Sequence, residues 1–142
     1  MIERAVLLDL NYTLVTNSHQ KLAPFARQIE REEYSEDLLG YLRSQFVILI
    51  TARPAKYRDP TLASIERKTG WRPNEAFFND QGLPPPASKA RHLDGGLLAR
   101  FGAANLFGIE SNPATRRVYG ARGIASCTRD EFLADPGRLS HG

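Results

Sequence analysis

Asp9 stands directly after four apolar residues in the run Ala5-Val6-Leu7-Leu8-Asp9. An ionised carboxylate at the end of a buried strand is costly unless something pairs with it. A metal ion, or a bound phosphate with its own cation, would do so; a turn capped by Asp9 with help from Asn11 is the plainer alternative. A second apolar run, Phe46–Ile50, leads into Thr51-Ala52-Arg53-Pro54. A hydroxyl and backbone N–H groups at a strand end can hold phosphate oxygens, although threonine also ends many strands that bind nothing. Lys89 lies near the start of a helical stretch, where its ammonium could face either a phosphoryl anion or solvent. Glu110 ends a further apolar run and precedes Ser111-Asn112-Pro113. Oxygen ligands at such an edge suit magnesium.

The elements that must position these residues are legible as punctuation. Five short apolar runs, Ala5–Asp9, Phe46–Ile50, Ala76–Phe78, Asn105–Ile109 and Gly123–Ser126, are too short for buried helices and read as buried strands. Pro24–Arg43 reads as one long helix with Phe25, Ile29, Leu38, Leu39 and Leu42 as its apolar contacts. Asp59-Pro60 reads as a cap followed by proline at the first helical position, and Gly70 would stop that helix. Pro84-Pro85-Pro86 reads as a stiff loop. Ala87–Phe101 is helical with a disturbance at Gly95-Gly96; Asn112-Pro113 opens another helix, and Thr128 with Glu131 forms a capping box for a last one. Strands alternating with helices predict an α/β fold: a single three-layer, Rossmann-like domain over residues 1–142 with a five-stranded parallel sheet. Ligand sites in such folds lie at the carboxyl ends of the strands, which here means Asp9, Thr51, Asn79-Asp80 and Glu110.

Composition sets the outer limits. The chain has 142 residues, 42% hydrophobic and 25% charged, with a net charge of +3, which is ordinary globular composition. Its pI near 9.2 permits an anionic partner without requiring one. The lone cysteine, Cys127, allows no internal disulfide and has no evident base beside it, so it reads as structural. No apolar run is long enough for a membrane helix, and the N-terminus lacks the pattern of a secretory signal. A cytoplasmic protein without a membrane partner is the expectation.

Taken in order, acid, threonine, lysine and acid resemble the haloacid dehalogenase (HAD) superfamily of phosphohydrolases, from Ala5 to about Ile124. Asp9-Leu10-Asn11-Tyr12-Thr13-Leu14 is similar to that family's first motif, Asp-x-Asp-x-Thr-Leu. Thr51 falls on its second motif, Lys89 on its third, and Gly108-Ile109-Glu110-Ser111-Asn112 on its fourth. The resemblance implies the strand order 5-4-1-2-3. It implies Asp9 as a nucleophile forming an aspartyl-phosphate, with Thr51 holding the phosphoryl group and Lys89 neutralising charge. It further implies Mg2+ at Asp9, the Leu10 carbonyl, Glu110 and Ser111, with Thr13 beside the substrate.

Two positions depart from the pattern. Asn11 replaces the family's second aspartate, which protonates the leaving group and then activates water; an amide cannot do either as an acid or base. Ser111 replaces a second acid that supports magnesium in many relatives. These changes leave two function classes open: a phosphomonoester hydrolase, or a degenerate non-catalytic relative that binds a phosphorylated ligand or a protein partner. His19, in the segment after the first motif, is a candidate substitute acid; His92 and His141 offer less.

The connections between motifs leave no room for a large cap domain. An open site suits an extended substrate, or cover by a neighbouring subunit in a homo-oligomer. Arg53–Arg72 carries six basic residues against two acidic ones, a net +4, with Tyr57 and Trp71 among them. Beside a phosphate site, Arg53, Lys56 and Arg58 could follow a nucleic-acid backbone, or form a solvated face. This segment also resembles, loosely, the 3′-phosphatase domain of phage polynucleotide kinases. The partner expected is a phosphorylated small molecule or nucleic-acid end. A phosphorelay receiver is disfavoured because the first strand ends in one acid, not two. Neither Gly-x-x-x-x-Gly-Lys-Ser/Thr nor a Gly-x-Gly-x-x-Gly after the first strand occurs.

Overall fold

Strand β1 (Ala5–Leu8) is buried on both faces, which is why it reads as an unbroken apolar run rather than an alternating one. In the computed structural model, which describes residues 3–140, β1 is the centre of a five-stranded sheet. The others are β2 (Val47–Pro54), β3 (Glu75–Asn79), β4 (Leu106–Ile109) and β5 (Ala125–Cys127). Every pairing is parallel, as the alternation of strands and helices predicts, and the order is β3-β2-β1-β4-β5, as the family resemblance implies. Val6 lies level with Val47 on one side and Phe107 on the other.

Seven helices cover the two faces: α1 (Phe25–Arg31), α2 (Glu36–Leu42), α3 (Arg58–Thr69), α4 (Pro85–His92), α5 (Leu98–Phe101), α6 (Pro113–Ala121) and α7 (Arg129–Ala134). Val6, Leu8, Val47 and Leu49 point to one face and meet Leu38, Leu39 and Leu42 of α2, Leu62 and Ile65 of α3, and Phe132 of α7. Leu7, Ile48 and Ile50 point to the other and meet Leu93, Leu97, Phe101 and Tyr119. Fully burying such a side chain is worth about 1.5–3 kcal/mol, so these two layers fix where the strand ends lie. No inserted domain interrupts the described residues, and no helix among them is long and apolar enough to cross a membrane.

The structure corrects several boundaries. The long helix over Pro24–Arg43 is two helices. Between them, Thr16 N–H donates to the Glu33 carbonyl, Glu33 N–H to Asn17 Oδ1 and Ser35 N–H to the Leu14 carbonyl. These bonds to the segment after β1 displace helical continuation, and Ser35 caps α2 through Leu38 N–H. Asp59 is not the cap of α3: a tight turn over Ala55–Tyr57 brings the helix in at Arg58, placing Asp59 in its first turn. Strand β2 continues past Ile50 to Pro54, with its pairing to β3 shifted between those two residues. Pro85 and Pro86 belong to the first turn of α4, not to a loop. The disturbance at Gly95-Gly96, the Asn112 cap and the Thr128/Glu131 capping box stand as read.

Gly108 in β4 is a close approach: a Cβ there would lie 2.7 Å from the ring of the fully buried Tyr119 and 3.1 Å from Ser126 Cβ. A Cβ on Gly120 meets nothing within 4 Å. Gly108→Ala should therefore destabilise the fold by about 1–3 kcal/mol through overpacking. Gly120→Ala should be neutral or stabilising by up to about 1 kcal/mol. Urea unfolding of the two variants checks the contrast; equal effects would place Tyr119 elsewhere.

Candidate active site

The chain leaves β1 at Leu8 and turns sharply. Leu14 N–H donates to the Asp9 carbonyl and Val15 N–H to the Leu10 carbonyl, closing a tight turn over Leu10–Leu14. Inside it Tyr12 is left-handed, at φ 60, a conformation costing a bulky residue about 1–2 kcal/mol. Ser18 Oγ accepts from Tyr12 N–H at 2.7 Å and helps hold it.

This turn sets Asp9, 6% exposed, at the floor of a cavity of about 240 Å3. Asn11, Thr51, Lys89, Glu110 and Ser111 line the same cavity. Lys89, brought in by α4, donates to Asp9 Oδ1 at 2.8 Å and to Glu110 Oε1 at 2.5 Å. Its residue is 2% exposed, so the solvated-lysine alternative falls. Asp9 Oδ2 accepts from Thr13 Oγ1 at 2.9 Å, Ser111 Oγ at 2.8 Å and Ser111 N–H at 3.3 Å. Glu110 Oε2 accepts from Asn112 N–H at 3.0 Å. Thr51 Oγ1 accepts from Arg53 N–H at 3.1 Å, leaving its proton without a protein acceptor among the described residues.

The electrostatics follow from two carboxylates sharing one ammonium. Burial opposes ionisation of Asp9, but the Lys89 ammonium and the hydrogen bonds overcome it and hold its carboxyl below the ordinary range. Glu110 fares differently: burial, then repulsion from Asp9, push it up to about 7. Burial would lower Lys89, yet the two carboxylates raise it, so it stays charged. The trio is one positive charge short of balance. Among the described residues no group of three His, Cys, Asp or Glu is placed to hold a metal. Asp9 and Glu110 supply carboxylate oxygens of the kind a divalent cation prefers, and each of the four already accepts a hydrogen bond.

A second buried network lies beside the first. Arg53 Nη1 and Nη2 pair with Glu32, at the end of α1, and Nη1 also donates to Thr61. Nη2 donates to Asn11 Oδ1 at 2.9 Å. The amide oxygen of Asn11 is thus turned away, and its Nδ2, with no partner among the described residues, is the group left to donate.

The fold is shared with two solved structures. The chain aligns with part of the Pnkp1/Rnl/Hen1 RNA repair complex at a TM-score of 0.73 and 14% identity, covering 89% of this chain and 42% of that one. It aligns with the core domain of a protein assigned as a phosphoglycolate phosphatase from Streptococcus pneumoniae TIGR4 at a TM-score of 0.55 and 17% identity, covering 99% of this chain and 97% of that one. The chain thus spans less than half of its RNA repair neighbour. No protein-family model matches the sequence, and no curated protein sequence matches it.

Several residues stand apart from where the sequence reading put them. Thr13 is fully buried and turned to Asp9 rather than to the cavity. The Leu10 carbonyl is engaged by Val15 N–H within the turn. Arg53 is 3% exposed and its charge is matched by Glu32, so it is neither a backbone-following cation nor part of a solvated face. Lys56 and Arg58 are exposed but do not line the cavity; Arg58 donates to the Ala76 carbonyl. Trp71 belongs to the core, which removes it as a stacking surface for nucleic acid. His19 is exposed and outside the cavity lining, and His92 Nε2 sits 2.9 Å from the Phe78 carbonyl. His141 lies outside the described residues. Glu32 was missed, and no local signal marks it, because its partner is 21 residues away.

Lys89→Met would strand two buried carboxylates without their cation, costing roughly 3–5 kcal/mol. The loss should be largest at pH 8 and smaller near pH 5.5, where Glu110, already raised to about 7, takes a proton and becomes neutral. Urea unfolding at the two pH values measures it. A pH-independent loss would mean that the carboxylates are not what Lys89 balances.

Proposed function

We propose that this protein is a HAD-type, magnesium-dependent phosphomonoester hydrolase acting through an aspartyl-phosphate on Asp9. The observation that carries the reading is the ionised Asp9, held by Lys89 at the floor of a cavity that Thr51 also lines. The carboxylate attacks phosphorus and the leaving-group oxygen departs with the bonding pair. Lys89 offsets the negative charge gathered around the nucleophile, and the Thr51 hydroxyl donates to a phosphoryl oxygen. Water then attacks phosphorus, the bond from phosphorus to the Asp9 oxygen breaks and returns the carboxylate, and phosphate leaves carrying the water's oxygen, with the surplus proton passing to solvent. Magnesium would be held by Asp9 and Glu110 with the Leu10 carbonyl, and would supply Lewis-acid stabilisation of the phosphoryl charge.

Asn11 shapes the chemistry by what it lacks. Its Nδ2 can donate a hydrogen bond to the leaving oxygen, but the proton that oxygen finally takes comes from water. General acid catalysis is worth about 10²–10⁴-fold, so turnover should be slow for alkoxide leaving groups. The fold shared with a chain of an RNA repair complex supports a nucleotide or nucleic-acid end as substrate. A second reading, a non-catalytic binder of phosphorylated ligands, is favoured by one observation: donors already occupy all four oxygens of Asp9 and Glu110.

Phosphate release from an aryl phosphate, mononucleotides and 3′- or 5′-phosphorylated oligonucleotides should require both magnesium and Asp9. Asp9→Ala should abolish it, and Asn11→Asp should raise it by about 10²-fold or more on alkyl esters. Magnesium should also raise the melting temperature of wild type and do so less in Glu110→Gln. Release that ignores Asp9, or none from any substrate even with Asn11→Asp, would leave the binding reading.

A further inference from the structure

Tyr12 stands at the mouth of the cavity in a backbone conformation that does not ask for tyrosine. At φ 60 a glycine sits without strain. The core does not ask for it either: the ring is 54% exposed. Among the described residues, the other exposed large apolar side chains, Leu22 and Tyr41, do not line the cavity. A strained residue persists only where its surroundings over-determine it. Here the turn's hydrogen bonds and Ser18 Oγ do so.

The ring borders two hollows. One is the cavity over Asp9; the other, about 110 Å3, is shared with Ser111, Thr128, Arg129 and Asp130. Tyr12 and Ser111 line both hollows, so the ring stands between the floor at Asp9 and the surface around Thr128–Asp130. Lys21 Nζ lies 5.2 Å from the ring centroid, placing positive charge beside it.

We propose that Tyr12 is a stacking platform for a flat aromatic ring in the leaving group of the substrate. That ring is either an aryl group borne directly on the phosphoryl oxygen or a nucleobase one sugar away. The inference rests on the phosphohydrolase reading and names its substrate class. Aromatic stacking of this kind is worth about 5–150-fold in affinity.

Non-hydrolysable phosphonates test it by calorimetry, without any need for turnover. Methylphosphonate carries no ring, phenylphosphonate carries an aryl ring, and the 5′-phosphonate of adenosine carries a nucleobase. Wild type should bind at least one ring-bearing probe about fivefold or more tighter than methylphosphonate, and which one it prefers separates the two sources. Tyr12→Phe should keep that preference. Tyr12→Gly should bring it close to one while melting no lower than wild type, because glycine relieves the left-handed strain. Equal binding of all three probes, or a preference that survives Tyr12→Gly, overturns the platform and leaves the phosphohydrolase reading standing. Failure of every probe to bind overturns both.

Discussion

One buried ammonium between two buried carboxylates organises this molecule. Lys89 comes from α4, Asp9 from the end of β1 and Glu110 from the end of β4. None of the three would be tolerated alone in that setting, because an isolated charge out of water costs several kcal/mol or more. Each is stable there only because the sheet brings the others within hydrogen-bond reach. The arrangement is also unbalanced: two negatives meet one positive, and the surplus is borne by Glu110, whose carboxyl is pushed up to about 7.

The second network explains how the first keeps its shape. Arg53 and Glu32 are both buried, and their pairing ties the end of α1 to the carboxyl end of β2. A buried pair is a poor source of net stability, and its effect here is geometric. It fixes the orientation of the Asn11 amide. The connection from α1 to α2, which looks like continuous helix in sequence, becomes a loop whose backbone pairs with the segment after β1. The carboxyl edge of the sheet is thereby tied to that loop by hydrogen bonds.

Much of this was legible from residue order. The five apolar runs gave the strands, most plainly the largely buried β1, β2 and β4, because a strand buried on both faces must be apolar throughout. The Asn112-Pro113 cap, Gly70 after α3 and the Thr128/Glu131 capping box gave their helix limits, because those positions depend on local hydrogen bonds and backbone angles alone. Two of the boundaries that failed share a cause. Pro24–Arg43 breaks, and β2 runs on to Pro54, because partners far away in the chain outcompete local preference. The character of the basic segment failed for the same reason. Charge counting placed Arg53 in solvent and Trp71 on a surface, whereas Glu32 and the core claim them.

The sequence by itself determined the layered fold and set Asp9, Thr51 and Glu110 at the carboxyl ends of strands, since each follows from hydrophobic pattern; Lys89 joined them only through the family resemblance of the residue order. Only the tertiary structure decided which charges pair: that Lys89 bridges two acids, that Arg53 is turned inward onto Glu32 and Asn11, and that Thr13 serves Asp9 rather than the cavity. Ion pairing depends on distances of a few ångströms between residues up to 80 positions apart, and no periodicity along a chain encodes them.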